Sequence, residues 1–91
     1  MIGARAPEVD VHVTVRLGGE LARATGTPRL ALDVADGSTV ADLRRTVADR
    51  HPELGGALGA TLAIVAGAHA APDLPLPPGA EVAFLLPAAG G

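Results

Sequence analysis

The sequence closes with Leu86-Pro87-Ala88-Ala89-Gly90-Gly91, and the chemistry open to such an ending is acyl chemistry at the α-carboxylate of Gly91. No side chain after Pro87 is larger than a methyl group. Glycine at the last two positions puts no Cβ near the carboxylate, so enzyme atoms can close on it and the backbone can follow whatever path a channel imposes. Residues 88–91 reach about 13–14 Å when extended, enough to enter a narrow active site while the rest of the chain stays outside. A carboxylate at neutral pH is a poor electrophile and must first be activated, for instance as an acyl-adenylate. The chain has no glycine-rich phosphate loop followed by Lys and Ser or Thr, and its Gly-Gly pairs do not fit a dinucleotide fingerprint. Catalysis is therefore expected in partner enzymes, with this chain as carrier or co-substrate. Gly91 is the expected reacting residue, with Gly90 beside it. Phe84, Leu85, Leu86, Pro87, Ala88 and Ala89 are the expected partner-binding residues.

Other constellations are weaker. The absence of cysteine excludes disulfides, thiolate metal sites, iron-sulfur clusters and a cysteine nucleophile together. His12, His51 and His69 stand at no metal-ligand spacing from one another, so no metal is expected. They read instead as a polar-face strand residue, a helix-end residue and a turn residue. Asp33 and Asp36 read as turn chemistry rather than an acid/base pair. A net charge of -3, scattered arginines and 1% aromatic content argue against nucleic-acid binding. The richest apolar stretch, residues 55–68, is broken by glycines, which argues against a membrane span. Arg5, Glu8 and Asp10 stand where a secretory signal needs its apolar segment, so a cytoplasmic location is expected. All seven basic residues are arginine and none is lysine. Two readings of this stand open: a chain with an activated acyl end avoids its own amines, or a GC-rich genome favours arginine, which also accounts for the abundance of Ala and Gly.

The elements that must position the ending follow from periodicity. Val9, Val11, Val13, Val15 and Leu17 alternate with polar residues, the pattern of a half-buried β-strand. Gly18-Gly19 stops it, Glu20 to Ala24 predicts a helical turn closed by Gly26, and Leu30, Leu32 and Val34 resume the alternation. Asp36-Gly37 is a turn. Thr39 and Asp42 form a capping-box pattern opening a helix over Val40–His51, with Pro52 beyond it. Val40, Leu43 and Val47, with Ala41 and Ala48, mark its apolar face. Leu54 and Leu58 close the core, and Leu62, Ile64 and Val65 predict a third strand. Asp73 to Pro78 is too proline-rich for a central strand. Glu81 to Leu86 reads as the last strand, with Val82, Phe84 and Leu86 inward and Leu85 exposed. One domain is expected over residues 8–87, with a flexible leader over 1–7 and a mobile tail over 88–91.

This order predicts an α+β fold of β-grasp (ubiquitin-like) type, a mixed four- to five-stranded sheet with one main helix packed across one face. The last strand would lie beside the first, central in the sheet. Residues 11–91 resemble the MoaD/ThiS family of ubiquitin-like sulfur carriers. The resemblance rests on Gly37-Ser38-Thr39-Val40-Ala41-Asp42-Leu43, Arg50-His51-Pro52, Gly79-Ala80-Glu81-Val82-Ala83-Phe84 and the ending Leu86 to Gly91. It implies that an E1-like adenylating enzyme (MoeB- or ThiF-like) uses ATP to adenylate Gly91. A sulfur donor, a cysteine desulfurase or rhodanese-like protein, then makes the thiocarboxylate. The sulfur would be carried covalently on Gly91, with no bound cofactor, and passed to an acceptor. Chain length and the long connection after the helix are most similar to a molybdopterin synthase small subunit, which implies a larger MoaE-like subunit as partner. Departures such as Leu17-Gly18-Gly19 and Ala66-Gly67-Ala68 leave thiamine, cysteine or natural-product pathways open. Conjugation of Gly91 to a target lysine, as by a protein modifier, is the alternative.

Overall fold

The computed structural model describes residues 10–87. The leader expected over 1–7 and the tail expected over 88–91, with Gly90 and Gly91, lie outside the described residues, as do Glu8 and Val9. Five strands, β1 (Asp10–Leu17), β2 (Arg29–Ala35), β3 (Leu62–Val65), β4 (Ala68–His69) and β5 (Glu81–Leu85), form one sheet in the order β2-β1-β5-β3-β4. The β1–β5 pair is parallel and the other pairs are antiparallel. This is the expected β-grasp arrangement, and it gives the last strand a partner on each side. Helices α1 (Gly19–Thr25) and α2 (Val40–Arg50) and a 3-10 segment, Pro52–Ala60, complete the fold.

The alternating residues Val11, Val13, Val15 and Leu17 of β1 are buried. They share one core with Leu32, Val34, Val82 and Phe84 of the sheet, and with Leu21, Val40, Leu43, Val47, Leu54 and Leu58 of the helical layer. Burying each Val or Leu contributes about 1.5–3 kcal/mol, so the α2 face alone anchors the helix to the sheet. Ala48, expected on that face, is exposed. The inward position of β3 belongs to Ala63, which lies directly opposite Phe84, while Leu62 faces out. A small residue there leaves room for the ring.

The proline-rich stretch performs a task that periodicity does not reveal. Leu74 O accepts from Val40 N at 3.0 Å and Pro72 O from Ala41 N at 2.8 Å, while Ser38 O accepts from Leu76 N at 2.9 Å. The first amides of a helix lack intrahelical acceptors, and here carbonyls of this strap supply them, an act that needs no N–H from proline. Asp42 N donates to Thr39 Oγ1 at 3.2 Å and Thr39 N to Asp42 Oδ2 at 3.0 Å, completing the capping box. The same strap buries Ala70 and Leu76.

Thr39→Ala is therefore expected to lower stability by about 1 kcal/mol, read as a lower urea midpoint. The Asp42 carboxyl is held below its ordinary value of 3.8 by the Thr39 amide first, then by the Thr39 hydroxyl, with Arg45 a lesser cause. A lowered carboxylate stabilises the fold above its unfolded value, and that contribution disappears as pH falls through the folded value. Asp42→Asn should therefore unfold more easily than the parent at neutral pH and converge on it in acid below 3.8.

Two turn assignments change. His69 lies in β4, paired with Ile64 across the hairpin tip Ala66-Gly67, rather than in a turn. Asp33 lies inside β2, opposite His12, because the strand runs on to Ala35 before Asp36-Gly37 turns the chain. Leu86, expected inward, is 37% exposed, since β5 ends at Leu85 and nothing beyond it continues the pairing.

Candidate functional site

The site is built around the end of β5. Val82 and Phe84 are completely buried, Phe84 between Leu17 of β1 and Ala63 of β3. Gly18 N donates to Phe84 O at 3.3 Å. From the helical layer the Arg44 guanidinium carbon lies 4.9 Å from the centroid of the Phe84 ring. Arg44 Nη1 also donates to Leu58 O at 2.7 Å and to Thr61 Oγ1 at 2.6 Å, and the buried Thr61 hydroxyl donates to Leu58 O at 2.6 Å. One cation thus closes the junction between α2, the 3-10 segment and β3 while covering the ring, a favourable contact for a guanidinium. The last buried side chain before Pro87 is held from both neighbouring strands and from above.

The opposite sheet face presents apolar side chains. Leu85 (41% exposed) lies directly across from Leu62 (40% exposed), and the next outward pair on these strands is Ala83 and Ile64. Leu86 extends this stripe toward Pro87, which is exposed. Contiguous apolar surface of this kind marks interaction sites more often than single exposed leucines do. Its border is charged: Glu81 lies 3.5 Å from Arg16 and 4.0 Å from Arg29, and His12 Nδ1 lies 2.9 Å from Asp33 Oδ1. A groove lined by Gly18, Gly19, Glu20, Leu85 and Leu86 flanks the root of the tail. A Cβ on Gly18 would stand 3.0 Å from Leu85 Cδ2, so glycine there is what lets Leu85 lie against the β1–α1 corner.

Of the residues expected to contact partners, Leu85, Leu86 and Pro87 gather at this surface. Phe84 does not: with no exposed surface its ring supports the root from inside, because even positions of β5 face the core. Ala88, Ala89, Gly90 and Gly91 lie outside the described residues. Among the described residues no three His, Cys, Asp or Glu side chains gather to hold a metal, and no helix is long and apolar enough to cross a membrane. The histidines are dispersed, His51 bonding Glu53 at 3.1 Å beyond α2. Sequence reasoning missed Arg44. Its signal was position: it falls four residues after Val40, on the core-facing side of α2, where a charge needs buried partners.

The model of the ThiS family matches residues 15–91. No curated protein matches the chain by sequence. Among solved structures, small archaeal modifier protein 1 of H. volcanii superposes with a TM-score of 0.79 at 23% identity, covering 86% of this chain and 99% of its own. Subunit 1 or 2 of molybdopterin-converting factor, from a Helicobacter pylori complex of the two, gives 0.66 at 20% identity over 89% and 100% of the respective chains. Urm1 of Trypanosoma brucei gives 0.65 at 20% identity over 90% and 97%.

Proposed function

This chain belongs to the ThiS family, and we propose from that premise that it is a sulfur carrier whose working group is the Gly91 carboxylate. A carboxylate oxygen of Gly91 attacks the α-phosphorus of ATP in an E1-like enzyme, and pyrophosphate leaves. Sulfide-level sulfur from a donor protein then attacks the acyl carbon, the bond to the adenylate oxygen breaks, AMP departs and a thiocarboxylate remains. The sulfur passes to a biosynthetic acceptor, and the molybdopterin precursor is our first choice, with this chain as the small subunit beside a larger MoaE-like one. The observation that carries the reading is that the family match runs through Gly91 itself. The Leu62, Leu85 and Leu86 stripe supports it as the docking surface, since it would set the activating enzyme against the root of the reacting tail.

Leu85→Ser is accordingly expected to raise the KM of the activating enzyme for this chain by about tenfold or more, the effect of losing an apolar anchor. The unfolding midpoint should stay nearly constant, because the side chain is already 41% exposed. The modifier reading has its own support in the likeness to small archaeal modifier protein 1. Incubation with ATP, the activating enzyme and sulfide, followed by intact mass, separates the two. Sulfur transfer exchanges one oxygen of the chain for sulfur, whereas conjugation gives adducts of higher mass.

A further inference from the structure

An activated acyl end reacts with whichever nucleophile reaches it first, and amines and thiolates are the side-chain acceptors that compete best at neutral pH. This sequence has no cysteine, and its seven basic side chains are all arginine. We propose that the body is thereby inert toward its own activated end, and that Arg16 and Arg29 in particular keep positive charge beside the tail root in a form that cannot accept the acyl group. The proposal rests on the reading that Gly91 is activated.

The geometry makes these two positions the exposed ones. Arg16 is the register partner of Ala83 in β5, and Arg29 is the partner of Arg16 in β2. Their side chains are 58% and 64% exposed on the open face and share Glu81. From Ala83 to Pro87 the chain advances about 13 Å at the rise of a strand. Residues 88–91 can span about 13–14 Å, so a tail folded back along β5 would bring its carboxyl level with Arg16. An ε-amine there would attack the acyl carbon: a C–N bond forms, the C–O bond to the adenylate breaks, AMP leaves with the electron pair and the nitrogen gives up a proton to solvent. The chain would be closed into a dead-end ring or joined to a second copy. A guanidinium keeps its proton at any physiological pH and offers no free electron pair, yet still pairs with Glu81. This consequence is independent of how the arginines arose. The acyl group of the intact chain therefore passes only to an acceptor on another molecule, and side-chain-linked polymers of this chain do not form.

The test uses a preformed thioester and so does not depend on any activating enzyme. The chain is prepared with an acetylated α-amine and a small-thiol thioester at Gly91, in wild-type form, as Arg29→Lys and as Arg16→Lys/Arg29→Lys, and incubated at mildly alkaline pH. Far-ultraviolet circular dichroism confirms that each is folded, and free lysine added to parallel samples confirms that each thioester is reactive. Wild type should yield free acid alone. The double variant should yield internal amide, one water lighter than the acid, or copy-to-copy amide at a level at least about tenfold above wild type. Equal self-acylation in wild type, or none in either lysine variant while free lysine reacts, would overturn the proposal. Failure of Gly91 to become adenylated in the enzymatic assay is a separate result, which refutes the premise and leaves the thioester outcome to be read on its own.

Discussion

Deleting Gly91 should reduce sulfur transfer by more than about a hundredfold while the unfolding free energy changes by less than about 0.5 kcal/mol. The two effects separate because they reside in different parts of the chain. Every buried hydrophobic residue described lies between Val11 and Phe84, so shortening the ending removes no core contact. The reacting carboxyl, by contrast, withdraws by about one residue, roughly 3.3 Å. Misplacement of a reacting atom by even ~1 Å costs orders of magnitude in rate. Urea unfolding and single-turnover sulfur transfer on the same preparation measure both quantities. Retained transfer in the truncated chain would mean that the ending is incidental and the fold serves as a binding module.

Phe84→Ala is expected to have the largest effect on stability, a loss of about 3–5 kcal/mol, against a total that for domains of this kind is about 5–15 kcal/mol. The ring is the largest fully buried side chain in the protein. Its cross-strand neighbour is Ala63, too small to fill the space left behind, and Arg44 above it would lose the ring it covers while keeping its bonds to Leu58 O and Thr61 Oγ1. The variant therefore gains a cavity with little means of collapse. Leu43→Ala, on the facing helix, removes a side chain equally inaccessible to water but smaller, so a loss of about 2–5 kcal/mol is expected there. If Phe84→Ala unfolds at the parental urea midpoint, the tail root is not held in the way described.

Much of this arrangement was legible before any coordinates. The alternation of β1 and β2, the capping box of Thr39 and Asp42, and the inward Val82 and Phe84 all express local rules: strand period, an orphan helix amide, a β-branched or aromatic residue facing a core. Each recurs in the structure as read. The failures share a different cause. Leu86 follows the period of its strand but lies past the last paired residue, and period says nothing of where pairing stops. Arg44 was hidden because its partners, Leu58, Thr61 and Phe84, are 14 to 40 residues away in sequence. The strap from Pro72 to Leu76 was legible only as something other than a central strand, since its work is done by carbonyls, which every residue has. At the candidate site, Leu85 was readable from alternation, whereas the stripe it forms with Leu62 depends on the β3–β5 register. The absence of amine and thiol side chains needed no structure to see, and its significance came from where the sheet puts Arg16 and Arg29.

The central claim concerns a single carboxyl group. After reaction with ATP, an activating enzyme and sulfide, fragmentation of the chain in the mass spectrometer locates any sulfur along the sequence. The account predicts one oxygen-to-sulfur exchange confined to the fragment that ends at Gly91 and absent from the truncated chain. Sulfur found elsewhere, or an unmodified Gly91 in the presence of an enzyme that charges other members of the family, would contradict it.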